Sequence, residues 1–228
     1  MSNPAASMNP EKSLAELLRS GLYSMGLPMS AEQQQSLLQY VFLLDKWNKT
    51  YNLTAVREPE RMIGLHIIDS LAVLPHVGGA ATVLDVGSGG GLPGIPIAIA
   101  RADVRVSMLD SLQKKTAFIR QAIGEIGLQN ADVVCERVEQ FQPIKKFDVV
   151  ISRAFAELSG FVSVAAHLVA ASGQMLAMKG VYPHEEIERL DKNLNAAYRV
   201  DAVIKLNVPQ VEGERHLVIL KKTKESMT

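Results

Sequence analysis

Five glycines fall within the eight residues from Gly87 to Gly94, directly after the short apolar run Thr82–Val86. A strand that leaves through a glycine loop into a helix, here from about Gly94, constrains the fold more than any other stretch of this chain. Glycine permits a tight turn and lets a ligand approach the backbone closely. In open parallel sheets, ligands lie beyond the carboxyl ends of the strands. The first strand and its loop therefore mark a binding mouth.

The chain after this loop keeps alternating. Strands are predicted at 105–109 with Asp110 at the end, at 132–135, at Phe147–Ser152 and at 174–179. Between them, Phe118, Ala122 and Ile126 line one helix face. Leu158, Phe161, Val162, Ala165 and Val169 mark another, and Ile187, Leu190 and Leu194 a third. Such alternation means an α/β fold with a parallel sheet covered on both faces. Two last strands, 200–208 and 216–220, are joined by a turn holding Gly213, so they should be antiparallel neighbours.

The first third is helical. Residues 1–10 read as a disordered start. Leu14, Leu17, Leu18, Leu22 and Met25 follow at helical spacing until Gly26. Ser30 and Gln33 form a capping box for a second helix, whose apolar face should hold Leu37, Leu38, Val41, Phe42, Leu44 and Trp47. A third helix opens near Glu58-Pro59 and carries Ile63, Ile67, Leu71 and Leu74. Gly78-Gly79 is the expected boundary between a tail with a helical extension (1–78) and the α/β core (79–228).

Lys and Arg total 24 and Asp and Glu total 24 in 228 residues, so net charge is zero. Nucleic-acid binding would need a local basic face. The lone Cys135 excludes an internal disulfide and fits a reducing compartment; within Val133-Val134-Cys135 it reads as a small buried hydrophobe. No basic-then-apolar leader opens the chain, and no apolar run is long enough for a membrane. A cytoplasmic protein without membrane association is expected. The five histidines are scattered without i, i+4 pairing, so no metal is expected.

Two ligand classes compete for the loop. Gly89-x-Gly91-x-x-Gly94 satisfies the dinucleotide fingerprint, which seats a pyrophosphate on a helix N-terminus. Here Asp85 precedes the loop. A carboxylate there repels pyrophosphate and favours a ligand with an ammonium and a sulfonium group, as S-adenosylmethionine has. Asp110, 25 residues on, is placed to accept from ribose hydroxyls. The alternative, a plain turn with two solvated acids, accommodates this constellation less well. A nicotinamide-dependent oxidoreductase remains a rival.

A methyl donor raises the question of the acceptor. Cytosine C5 chemistry needs a cysteine nucleophile, and Cys135 is poorly suited. Exocyclic amines are usually handled by an Asn- or Asp-Pro-Pro-aromatic motif after the fourth strand, where this chain has Ser152-Arg153-Ala154-Phe155. Guanine N7 carries a free lone pair and needs no base, and no general base stands out here. These arguments leave N7 open without establishing it.

Several motifs together resemble one family. Trp47-Asn48-Lys49-Thr50-Tyr51-Asn52-Leu53-Thr54 looks like the N-terminal signature of the bacterial ribosomal RNA small subunit methyltransferase G family, also called glucose-inhibited division protein B. His66-Ile67-Ile68-Asp69-Ser70-Leu71 resembles its next signature. Asp85 to Gly94, Leu109-Asp110-Ser111 with Lys114-Lys115, Arg137-Val138-Glu139, Ser152-Arg153-Ala154 and Lys179-Gly180 follow in order, and the likeness runs from about Leu14 to Lys222. It implies a cytoplasmic class I methyltransferase, Rossmann-like with a seven-stranded, mostly parallel sheet and an N-terminal helical extension. It implies methyl transfer from S-adenosylmethionine to N7 of one guanine in the decoding-region loop of 16S ribosomal RNA, with the small ribosomal subunit as partner. It also implies cofactor contacts at Gly87, Leu92, Val138, Glu139 and Arg153; Asp85 and Asp110 come from the physical argument. Lys115 departs from the pattern, standing where many members carry arginine, which weakens a bidentate phosphate contact.

Arg153 should face the mouth, for a cofactor carboxylate or an RNA phosphate. Lys114, Lys115, Arg120, Arg137, Lys179, Lys145-Lys146 and Lys221-Lys222-Lys224 either line an RNA-facing edge or are ordinary solvated cations. His66 is as readily a polar contact holding the helical extension to the core as a catalytic group. Trp47, Tyr51 and Phe155 are candidates for stacking on a base, although Trp47 fits the core better. The other functional readings are a methyltransferase for a small molecule or protein, and a non-catalytic RNA-binding assembly factor.

Overall fold

The computed structural model describes residues 10–153, 155, 157–192 and 197–223. The expectations for the start of the chain before Pro10, and for Ala154, Leu194 and Lys224, lie outside the described residues.

Seven strands form one sheet: β1 (Thr82–Val86), β2 (Arg105–Asp110), β3 (Ala131–Cys135), β4 (Phe147–Ser152), β5 (Val169–Lys179), β6 (Tyr198–Lys205) and β7 (His216–Lys222). Their spatial order is β3-β2-β1-β4-β5-β7-β6. The first five are parallel, and β7 lies antiparallel between β5 and β6. The order reverses between β1 and β4, so the mouth opens at the carboxyl ends of these two strands.

Helices α1 (Pro10–Ser24), α2 (Ala31–Tyr51), α3 (Pro59–Met62) and α4 (Asp69–Leu71) precede the sheet. α5 (Gly94–Ala100), α6 (Gln113–Ile126), α7 (Leu158–Ala165) and α8 (His184–Asp191) connect its strands. The capping box at Ser30 and Gln33 is formed. Gln33 also reaches the last carbonyls of α5, donating to Ile99 and Ala100 at 3.1 Å each. Side chains from the extension, among them Leu18, Leu37, Leu44 and Ile67, share one apolar core with Val83, Ile95 and Phe118.

Four expectations need correction. The third helix is not a continuous α-helix: between α3 and α4, Ile63–Ile68 is a π-helical segment. All of its residues but Leu65 are buried, so a one-sided apolar stripe could not reveal the change in winding. Val169 begins β5 rather than ending α7, because Ala166–Leu168 form a 3-10 turn that stops the helix. Phe42 is exposed, whereas Tyr40 and Leu43 are buried. Cys135 is exposed because it ends β3, the edge strand, and it sits 3.9 Å from the Ser111 carbonyl.

Candidate cofactor and acceptor site

The glycine loop is held from below by β2 and from within by two acids. Gly87, Gly89 and Gly91 all take positive φ (72°, 59° and 85°), a conformation that favours glycine. The Gly87 N–H donates to the Leu109 carbonyl at 2.8 Å. The Gly89 N–H donates to Asp110 Oδ2 at 3.0 Å, and the Gly94 N–H to Asp85 Oδ2 at 2.9 Å. One acid thus fixes the start of the loop and the other its end.

A cavity of about 280 Å³ opens over this loop, lined by Gly87, Asp110, Leu112, Lys115, Val138, Glu139 and Phe155 among others. Four of the expected residues, Gly87, Asp110, Val138 and Glu139, therefore meet here. Asp110 spends Oδ1 on the Leu112 N–H at 3.0 Å and Oδ2 on Gly89 and, at 3.4 Å, on Lys115. Lys115 thus faces the cavity rather than an outer edge. Asp85 and Leu92 are buried behind the loop and do not line the cavity. Asp85 Oδ1 is buried and has no hydrogen-bond partner among the described residues. Burial pushes the Asp85 carboxyl up to about 7, against the pull of the Gly94 N–H and Arg153.

Arg153 lines a second cavity, of about 460 Å³, walled by the extension (Thr54, Val56, His66, Asp69), β5 (Lys179) and the β6–β7 hairpin (Arg215). Asn48 shapes the first wall: its side chain donates to the Val56 carbonyl and accepts from the Thr54 N–H, both at 2.9 Å. Thr54 Oγ1 meets His66 Nε2 at 2.8 Å. Burial, then the Arg153 charge, lowers the His66 pKa to about 4, so the ring is neutral at pH 7. His66 thus ties two parts of the extension beside the site. Lys179 is nearly buried, paired with Glu186 at 2.7 Å and bonded to the Phe155 carbonyl at 3.1 Å.

Other expected positions are dispersed. Arg120 is exposed and Lys114 donates to the Tyr51 carbonyl at 3.3 Å, whereas Arg137, also exposed, lines the rim of the first cavity beside Val138. Trp47 packs on Phe118 (5.6 Å between ring centroids) and Tyr51 (4.9 Å), as a residue at the core's margin does. Sequence reasoning missed Tyr40, Arg215 and the pairing role of Asp69, because nothing local to each forecasts its distant partner. Among the described residues, no group of three or more His, Cys, Asp or Glu could hold a metal, and no helix is long and apolar enough to cross a membrane.

A glycine loop at the switch point, an acid at the end of β2 and a cavity between them, on a seven-stranded mostly parallel sheet, are the class I methyltransferase fold with a mouth that suits a nucleoside cofactor, and solved structures share that fold. The chain superposes on mitomycin 7-O-methyltransferase MmcR with TM-score 0.62 at 14% identity, covering 94% of this chain and 69% of that one. A methyltransferase from Thiobacillus denitrificans in complex with S-adenosyl-L-homocysteine gives TM-score 0.51 at 12% identity, covering 68% and 90%. At these identities the likeness concerns the fold.

The family is settled by sequence. The model of the rRNA small subunit methyltransferase G family matches residues 33–218. The "Ribosomal RNA small subunit methyltransferase G" of Laribacter hongkongensis (strain HLHK9) is 54% identical over 207 residues, covering 91% of this chain and 98% of that protein. The chain belongs to the rRNA small subunit methyltransferase G family, and its cofactor is S-adenosylmethionine.

Proposed function

We propose that this chain transfers the methyl group of S-adenosylmethionine to N7 of one guanine in the decoding-region loop of 16S ribosomal RNA, acting on the small subunit in the cytoplasm. The observation that carries this reading is family membership across residues 33–218 combined with a second cavity beside the cofactor cavity. The extension and the α/β core, divided near residues 78–79, each contribute walls to that second cavity. In this reading Gly87, Asp110, Val138 and Glu139 hold the nucleoside end of the cofactor, with Asp110 free to take one ribose hydroxyl besides its three protein donors. Leu92 and Asp85 support the loop from behind, and Arg153 takes the methionine carboxylate.

The chemistry asks little of the protein beyond placement. The N7 lone pair forms a bond to the methyl carbon as the carbon–sulfur bond breaks, its electron pair passing to sulfur. The positive charge moves from sulfonium to purine, and no proton has to be removed first. The surroundings agree: His66 is neutral and Asp69 is paired with two guanidiniums, so neither adds an unpaired charge against the base.

Nucleoside mass spectrometry of 16S ribosomal RNA tests the reading, comparing cells lacking this chain with cells supplied with it. The expected result is that one 7-methylguanosine is lost with the chain and restored by it. An unchanged nucleoside profile would contradict it and direct attention to small-molecule or protein acceptors.

A further inference from the structure

Asp69 binds two guanidiniums, one on each oxygen. Its Oδ2 accepts from Arg153 Nη1 at 3.3 Å and its Oδ1 from Arg215 Nε at 3.1 Å. The three residues come from distant parts of the chain: α4, the end of β4, and the residue just before β7. Asp69 is buried, while the two arginine side chains keep about a quarter of their surface, 28% and 24%. All three line the second cavity. With Asp69 ionised, the triad carries one net positive charge.

Arginine has five N–H donors in a fixed plane. Arg215 spends Nε on Asp69 and Nη1 on the Glu214 carbonyl at 2.7 Å, and its Nη2 bonds to none of the described residues. A guanidinium locked by a carboxylate, with donors left over along a cavity, suits an oxyanion. Two oxyanions come near this site, the cofactor's carboxylate and the phosphates of RNA. Both arginines line this cavity and neither lines the cofactor cavity. Arg153, however, directly follows β4, the neighbour of the strand that carries the glycine loop, whereas Arg215 directly precedes β7, two strands further along the sheet. That distance from the loop favours phosphate for Arg215. The chain's zero net charge adds weight, since attraction for RNA has to come from local cations.

We infer that Arg215 is the seat for a phosphodiester oxygen beside the acceptor guanine, while Arg153, on the other oxygen of the same carboxylate, serves the cofactor. This rests on the RNA-methylating reading above. Asp69 acts as a positioning residue that sets the angle between the two guanidiniums.

The test is binding of the full chain, saturated with S-adenosylhomocysteine, to unmethylated small subunits across a salt series, with S-adenosylhomocysteine affinity titrated in parallel. Arg215→Gln should weaken subunit binding roughly 10- to 100-fold, the worth of a hydrogen bond to a charged group. It should make the slope of log affinity against log salt shallower by about one. Affinity for S-adenosylhomocysteine should stay within about twofold, since no contact to it is lost in this account. If the Gln variant melts too low to titrate, Arg215→Lys decides. That variant keeps the charge on Asp69 but loses the fork, so a severalfold loss at unchanged slope supports the seat, and unaltered affinity overturns it. Unchanged subunit binding by the Gln variant overturns the inference. So does a loss confined to S-adenosylhomocysteine, which would assign Arg215 to the cofactor carboxylate. Because binding is the readout, failure of the wild type to methylate RNA would sink the functional reading separately.

Discussion

The hydroxyl of Tyr40, fully buried on α2, donates to the carbonyl oxygen of Gly90 at 2.5 Å, so the N-terminal helices grip the glycine loop directly. Leu44, one turn on, leaves only 3.1 Å between its Cδ1 and the place a Gly90 Cβ would take. Tyr40→Phe removes the only side-chain donor to that carbonyl among the described residues. Leaving a buried acceptor unpaired costs about 1–3 kcal/mol. The expected outcome is weaker S-adenosylmethionine binding by calorimetry and a lower melting temperature, with subunit affinity at saturating cofactor unchanged.

Gly94 is required by space rather than by φ. A Cβ there would lie 2.5 Å from Met108 Cγ and 3.0 Å from Asp85 Oδ2. Gly94→Ala should cost about 1–3 kcal/mol as overpacking, lowering the melting temperature by several degrees. Gly124→Ala provides the contrast: its Cβ would meet nothing within 4 Å, and the site lies inside α6, in its last turn. That variant should gain about 0.5–1 kcal/mol. Thermal melts of the two variants check both signs.

Cofactor affinity should depend on pH through Asp85. Burial lifts its folded value to about 7, above the ordinary carboxylate value of 3.8. The folded chain therefore holds this proton more tightly than the unfolded chain does. The stability it contributes is present at low pH and is lost as pH rises through about 7. A cationic ligand favours the ionised form, so affinity for S-adenosylmethionine should rise up to about tenfold per pH unit below 7 and level off above it. Asp85→Asn should flatten the profile. A wild-type profile already flat between about pH 5.5 and 8.5 would contradict this.

Asp110 holds the loop as well as lining the cavity, since it accepts from Gly89, Leu112 and Lys115. Asp110→Asn removes the charge on Lys115's partner and forces an amide onto one of these donors. Affinity for S-adenosylmethionine should fall roughly 10- to 100-fold, the worth of charge-assisted bonds. Comparing S-adenosylmethionine with its 2′,3′-dideoxyribose analogue checks the ribose contact. If the wild type binds both equally, Asp110 does not read the hydroxyls.

The sheet was legible because its strands are short apolar runs and its loop is punctuated by glycine. β1 and β4 match their expected bounds, and the antiparallel pairing of β6 with β7 follows from the absence of a helix between them. The parts that escaped depend on three-dimensional surroundings. Cys135 and Val134 share an apolar run, yet only the position of β3 at the sheet edge exposes the thiol. The π-helical turn at Ile63–Ile68 leaves no mark in a segment where every residue but Leu65 is buried. Glycine loops advertise themselves in sequence, as Gly87 and Asp110 did. Arg215 gains its meaning only from Asp69, 146 residues away.

The most direct measurement is methyl transfer from labelled S-adenosylmethionine to small ribosomal subunits lacking modifications, with nuclease mapping of the labelled nucleotide. This account predicts label in 7-methylguanosine at one position of 16S ribosomal RNA. Label on another atom or nucleotide, or cofactor binding with no label on RNA, would contradict it.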